Sequence, residues 1–446
     1  MANTWLHVAG DASGVAFDGS APTQYNYPFT GLLNLNHCGS GNNNAVEVRD
    51  RVGFQASNQF VRVTQYSCCL GASTATRVDD DVAGDSLTVC ATGTFSQTCN
   101  DCFASGSLIN MRFTTGVGGG HGDTVTITAH SMTLADTCCG CKSLLVSHGT
   151  DVVQGRGTAC CPLEGYTTIA GGLGDTVEGI SNEVDVEYII RHASTFSDMR
   201  VYVSGNTIDS CPCKTNWRFQ DDSGLTCLSL SVCACTTGEF EDTTNTACVA
   251  SGSTINYRLR TFNSGMSNDE IAITTASIYQ DGVGHNVVAS RADPAVVCIP
   301  NLNSTRYYTL EGQIAEGTGN AVICDSEICQ PIAWQATNLF VRVTAISGAK
   351  GNTIALAQNG TVSCLSTGVF CATGTHEDTT STICLAACDC LAWYHNNCSA
   401  GGSQTINISY IGLELQQPAS DTSFISAAIV PHPGPGAFTA PTMLPF

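Results

Sequence analysis

Charge is what this sequence has least of. Only 12% of its 446 residues are Asp, Glu, Lys or Arg, about half the usual share in a globular domain. Lysine is nearly missing, with 3 against 14 arginines, and the net charge is −21. No run of basic residues interrupts that acidic balance, so a phosphate backbone is repelled and nucleic acid is excluded as a partner. Strong helix formers are sparse, which argues against a helical bundle. No apolar run reaches the roughly 20 residues of a membrane-spanning helix. The opening Met1-Ala-Asn-Thr-Trp-Leu-His7 has neither the basic nor the apolar region of a secretory leader, so no export signal is expected. Catalytic signatures are missing too. The 10 histidines form no His-x-x-x-His or His-Glu-x-x-His pair, and no Gly-x-Ser-x-Gly elbow presents a serine nucleophile.

What the chain does have is repetition. Residues 54–64 read Phe-Gln-Ala-Ser-Asn-Gln-Phe-Val-Arg-Val-Thr, and residues 334–344 read Trp-Gln-Ala-Thr-Asn-Leu-Phe-Val-Arg-Val-Thr, an offset of 280 (334 minus 54). Midway, Arg200-Val-Tyr-Val203 fits the same pattern, so Val61, Val201 and Val341 are spaced by 140. Cys90-Ala-Thr-Gly-Thr-Phe95 returns as Cys235-Thr-Thr-Gly-Glu-Phe240 and Cys371-Ala-Thr-Gly-Thr-His376. Gly-Ser followed by Ile-Asn comes next each time, at Gly106/Ile109, Gly252/Ile255 and Gly402/Ile406, and Glu-Asp-Thr-Thr occurs at 241–244 and 377–380. Such blocks predict three copies of one domain-sized unit, at 1–138, 139–292 and 293–424, followed by a tail at 425–446.

Within each copy, apolar residues alternate with polar ones, as in Phe60-Val-Arg-Val-Thr64, Asp123-Thr-Val-Thr-Ile-Thr128 and Glu183-Val-Asp-Val-Glu187. That period of two puts one face of a strand on a core and the other toward water. Clusters such as Ser40-Gly-Asn-Asn-Asn44 punctuate the strands with turns. The expected fold is all-β: three tandem β-sandwiches of about eight strands each. A jelly roll is the first choice and an immunoglobulin-like sandwich the second.

The 26 cysteines suit an oxidising setting. Cys90 and Cys102 are 12 apart, and Cys235/Cys248 and Cys371/Cys384 are each 13 apart. These are expected as equivalent disulfides, each closing a loop worth roughly 3 kcal/mol in the chain-entropy model. Cys99-Asn-Asp-Cys102 and Cys138-Cys-Gly-Cys141 have spacings that could chelate a metal, but the two-knuckle arrangement does not recur in every copy. No cofactor is expected beyond calcium, which Asp79-Asp80-Asp81 and Asp221-Asp222 could ligate. If the chain cleaved a polysaccharide, Glu183, Asp185 and Glu187 on one strand face would be the carboxylates to test. Trp5, Trp217, Trp334 and Trp393 could stack on sugars, although Trp334 replaces Phe54 in the repeat and belongs in a core.

In the tail, prolines forbid a central strand, while Ile429, Val430, Phe438, Met443, Leu444 and Phe446 need cover from water. An extended arm lying over a neighbouring subunit satisfies both. In organisation the array resembles the tandem β-domain proteins that decorate phage heads or build tail fibres. The resemblance implies a virion or extracellular setting, assembly with copies of itself and other structural subunits, contact with a host-surface glycan, and no catalysis. A secreted carbohydrate-binding or glycoside-cleaving protein and an extracellular filament subunit are the rival expectations.

Overall fold

The computed structural model describes residues 4–416 except 19–23, 28–30, 33–45, 68–69, 81, 99–100, 117–122, 137–141, 156–162, 173–182, 209–214, 223, 262–269, 282–284, 293–296, 300–304, 311, 315–322, 324–325, 330–332, 348–350 and 398–403. The six apolar residues of the expected arm lie outside the described residues. Strands dominate, and no α-helix occurs among the described residues.

Eight principal strands make the first unit: β1 (Thr4–Asp18), β2 (Gln24–Tyr27), β3 (Phe54–Tyr66), β4 (Ser73–Asp79), β5 (Val82–Val89), β6 (Gly93–Gln97), β7 (Leu108–Thr114) and β8 (Thr124–Asp136). They form two sheets in the orders β1-β8-β3-β6 and β2-β7-β4-β5. The second unit repeats this with β9 (Lys142–Gly155), β10 (Leu163–Thr167), β11 (Ser194–Asn206), β12 (Thr215–Asp221), β13 (Gly224–Val232), β14 (Gly238–Val249), β15 (Thr254–Thr261) and β16 (Glu270–Asp281). Its sheets run β9-β16-β11-β14 and β10-β15-β12-β13. The third unit has β17 (His285–Ala292), β18 (Thr305–Tyr308), β19 (Trp334–Ile346), β20 (Asn352–Gln358), β21 (Thr361–Ser366), β22 (Gly374–Asp378), β23 (Cys390–Asn397) and β24 (Gln404–Gln416), ordered β17-β24-β19-β22 and β18-β23-β20-β21. In every unit the first strand pairs with the last and the second with the seventh. That is jelly-roll connectivity, and the immunoglobulin-like alternative is set aside.

The sequence repeat maps onto this register. Val61, Val201 and Val341 lie opposite Phe95, Phe240 and His376 on the edge strand. Two expectations need correction. His285–Ala292 pairs with β24, so the third unit begins near 285, several residues earlier than expected. The Ile-Asn echo at Ile406 is out of register, because Leu391 occupies the place of Ile109 and Ile255 in the seventh strand. Cys388, at φ 72°, takes the left-handed position that Gly106 and Gly252 hold in the other units.

Each central strand β3, β11 and β19 carries a bulge at the same point. Asn58, Asp198 and Asn338 have φ of 53°, 51° and 53°. Asn and Asp tolerate this left-handed region better than other side chains. Each bulge coincides with a shift in pairing to the last strand, between Ser57/Thr133 and Phe60/Ser131 in the first unit. A bulge re-aims the residues that follow it, here Phe60, Arg200 and Phe340.

Three cores lie between the paired sheets. Phe17, Tyr27, Phe54, Met111 and Phe113 belong to the first; Phe196, Trp217, Phe219 and Tyr257 to the second; and Trp334, Leu356, Trp393 and Leu413 to the third. Burial of a large apolar side chain stabilises by about 1.5–3 kcal/mol.

Candidate functional site: the junctions and an arginine face

The cores are not closed within their own units. Tyr279 of the second unit packs in the first core, its ring 6.4 Å from that of Phe54. Phe340 of the third packs in the second core, edge-on to Tyr188 at 6.2 Å. Phe60 of the first packs in the third core with Ile328. The loans run cyclically. Short parallel strands make the same circuit: Gly312–Ile314 meets β1, Gly31–Leu32 meets β9, and Gly171–Gly172 meets β17. The three sandwiches therefore close head to tail around a common centre, with pseudo-threefold symmetry inside one chain.

Polar contacts repeat at the junctions. Between the first and second units, Arg51 pairs with Glu241. Arg49 donates to Glu239 through Nε at 2.5 Å and Nη2 at 2.6 Å. Arg200, 3% exposed, reaches Glu239 at 2.9 Å and the Glu47 carbonyl oxygen at 2.8 Å. Burial pushes the Glu239 carboxyl up, but the Arg49 hydrogen bond and the Arg200 charge outweigh it and hold it down at about 2. Between the second and third units, Arg191 pairs with Glu377, the counterpart of Arg51–Glu241. The backbone N–H of Arg51 donates to Tyr279 Oη at 2.8 Å. That of Arg191 donates to the Glu414 carboxyl, which also accepts from Asn338 Nδ2 at 2.6 Å. In the sequence repeat Pro331 and Ser96 align with Arg51 and Glu241, and the Phe60 contact of the third junction is apolar.

The repeated Glu-Asp-Thr-Thr block is now legible. Its Glu crosses the junction, and its Asp ties the edge strand back to the fifth strand. Asp378 accepts from the backbone of Ser366 at 3.0 Å, Thr380 at 3.1 Å and Ser381 at 2.9 Å. Asp242 accepts from Ser229, Thr244 and Asn245 in the same way. Burial opposes ionisation of Asp378, but these donors win and hold it down at about 2.

The expected disulfides do not form. Cys90, Cys102, Cys235, Cys248, Cys371 and Cys384 are free and exposed. Between each pair the described strand segments run extended along the central strand of their sheet and do not fold back as a loop. Cys102 lies opposite Gln55 while Gly93 lies opposite Val63, a separation of about 26 Å along β3 at roughly 3.3 Å per residue. Cys248 and Gly238 span Thr195 to Val203, and Cys384 and Gly374 span Gln335 to Val343, the same eight residues. A disulfide needs Cα atoms within about 7 Å. The bridge among the described residues joins Cys329 to Cys390, direct neighbours on antiparallel strands. Cys329 stands where Arg49 stands in the first unit, and the spacing of 61 residues gives no local signal.

Other candidates are placed differently from expectation. Glu183–Asp185 is a 3-10 turn, so the acidic triplet shares no strand face. Glu183 accepts from Gln220 and, at 3.3 Å, from Asn256. Asp80 sits in a turn at φ 45° and accepts from the Leu108 N–H at 2.9 Å, and Asp81 lies outside the described residues. Among the described residues no three His, Cys, Asp or Glu side chains converge on a metal-sized site. Trp217, Trp334 and Trp393 are at most 1% exposed and cannot stack on a sugar. His376 takes the edge-strand place of Phe95 and Phe240 and stacks on Phe370 at 4.1 Å.

One feature is invisible in the linear sequence. Arg218 of β12 lies opposite Arg258 of β15, with Arg260 one pleat further along opposite Asn216. Together with Leu225 they line a shallow groove on the outer sheet of the middle unit. Glu164 on β10 pairs with Arg258 and, at 3.3 Å, with Arg260. Residues 40 apart in sequence thus make the basic cluster that the linear chain lacks.

No protein-family model matches the chain, and no curated protein matches it. The chain is similar to solved structures described as the triple jelly roll fold and turret assembly in an archaeal virus (10% identity, 92% of this chain and 95% of that one, TM-score 0.18) and as Sulfolobus turreted icosahedral virus (11%, 93% and 97%, 0.18). A third is infectious bursal disease virus Gx strain (7%, 94% and 80%, 0.21).

Proposed function

We propose that the chain is a non-enzymatic structural subunit of a phage-like virion, a capsid-decoration, head-fibre or tail-fibre component that assembles symmetrically with copies of itself. The closed ring of three jelly rolls is the observation that carries this reading. Head-to-tail contacts that close are how separate copies of one subunit form a ring; here one polypeptide supplies all three. Interlocked cores and paired junctions make a stiff tile. Two of its histidines, His130 and His395, serve packing: they are fully buried and hydrogen-bonded to neighbouring side chains. The expected arm at 425–446 would join one tile to the next by laying its apolar residues on a neighbour.

Sedimentation and electron microscopy of the full chain beside a chain ending at residue 424 test the reading. Discrete symmetric assemblies from the full chain, lost on truncation, are expected. A protein that stays single in both forms and hydrolyses a polysaccharide would overturn it.

A further inference from the structure

We infer that the three-arginine groove on the middle jelly roll, formed by Arg218, Arg258 and Arg260, is a docking surface for the acidic face of a second copy of this chain. The inference rests on the reading of the chain as an assembling subunit and names its partner.

Arg258 and Arg260 share the Glu164 carboxylate and Arg218 adds a third guanidinium to the same groove, so the groove is locally positive on a chain of net charge −21. Arg218 has no acidic partner among the described residues, and Leu225 beside it is 43% exposed. The register makes the groove peculiar to the middle unit. Thr76 and Arg112 stand opposite each other in the first unit where Arg218 and Arg258 stand in the second, and Ala355 and Tyr394 do so in the third. A feature found in only one of three copies is not demanded by the jelly roll itself.

The molecule already shows how its sandwiches recognise one another: Arg51 meets Glu241 and Arg191 meets Glu377 across internal junctions. Guanidinium groups match carboxylates in a planar, two-pronged geometry. The same chemistry between chains requires an arginine face on one copy and a carboxylate face on the next, and the chain has 38 Asp and Glu residues to provide the latter. Between strongly acidic copies that otherwise repel, a single positive face also fixes which surfaces meet. Three arginines are too few to hold a nucleic-acid backbone against this net charge.

The test is sedimentation equilibrium of the full-length protein at several salt concentrations, comparing wild type with Arg218→Glu, Arg218→Lys and the pair Arg218→Glu/Arg260→Glu. Far-ultraviolet circular dichroism and melting temperature check that each variant is folded. Wild type should self-associate more weakly as salt rises, because screening shortens the reach of exposed charges. Arg218→Glu should weaken association by about tenfold or more at low salt, with Arg218→Lys in between. Unchanged association in the double charge reversal would overturn the inference. So would saturable binding of an acidic oligosaccharide to the groove that leaves self-association untouched. If truncation at residue 424 abolishes assembly while both charge variants assemble normally, the virion reading stands and this docking surface falls.

Discussion

Arg200 of the second jelly roll donates through Nη1 to the carbonyl oxygen of Glu47 in the first, 2.8 Å away, while its Nε holds Glu239. One side chain is therefore bonded both across a junction and within its own sandwich. Phe60 and Phe340 occupy the same bulge-adjacent position and make apolar junctions, so the ring tolerates either chemistry at that point.

The first prediction follows from that asymmetry. Removing one partner of a buried pair strands the other, whereas removing both leaves a surface that can repack. Because Glu239 keeps its two hydrogen bonds from Arg49, Arg200→Ala should destabilise by about 1–2 kcal/mol, read as a lower urea midpoint for the first two sandwiches. Adding Glu239→Gln should recover part of the loss. If the double variant lost the full sum of the two single effects, Arg200 and Glu239 would not be coupled.

Acid should unfold the protein earlier than its carboxylates alone dictate. Burial, helped by the charge of Arg77, holds His130 down to about 3, and burial with Arg306 does the same for His395. Both bind a proton more readily in the unfolded chain, near pH 6.5. Stability is then complete above about pH 6.5 and falls as pH drops toward 3, by about 1.4 kcal/mol per pH unit for each histidine. Glu239 and Asp378, held at about 2, add a further loss below their unfolded values near pH 4. Urea midpoints measured from pH 7 to pH 4 check the slope, and His130→Gln should roughly halve it above pH 5. A flat profile between pH 6.5 and pH 5 would show that neither histidine is buried uncharged.

How far the fold can be read from sequence depends on the range of the signal. Alternation and turn residues are local, and the repeated Val-x-Val and Cys-x-Thr-Gly blocks are copies of one register, so strand character, three units and the jelly roll are all legible. The junctions are not, because Phe60, Arg200 and Phe340 share a position and not a chemistry. Glu-Asp-Thr-Thr is visible as a repeat, yet its division of labour needs the neighbouring sandwich. The cysteine pairing fails for a different reason: equal spacing suggests a loop, but the residues between, such as Gly238–Val249, are an edge strand. The arginine groove depends on antiparallel register between β12 and β15, which no linear pattern reveals.

Thiol chemistry separates the two cysteine arrangements. A peptide map under non-reducing conditions should contain Cys329 linked to Cys390. Alkylation of the native protein should label Cys90, Cys102, Cys235, Cys248, Cys371 and Cys384. Recovery of Cys235 joined to Cys248 within one chain would require β14 to be broken, and would refute the pairing of β14 with β11.

The Asx networks give a last prediction, independent of the junctions. Asp378 accepts three backbone N–H groups, and its low proton affinity reports how strongly they favour the ionised form. Asp378→Asn keeps one acceptor oxygen but discards the charge, and should destabilise by about 1–2 kcal/mol. Asp378→Ala loses every acceptor and should cost more. Because the Ser366 N–H lies on β21 and the Thr380 and Ser381 N–H groups follow β22, the damage should be local. Hydrogen exchange should speed up along the edge strands β21 and β22 first, while β23 and β24, in the interiors of the two sheets, keep their protection. Uniform loss of protection across the third sandwich would mean that Asp378 supports the whole core and not this one edge.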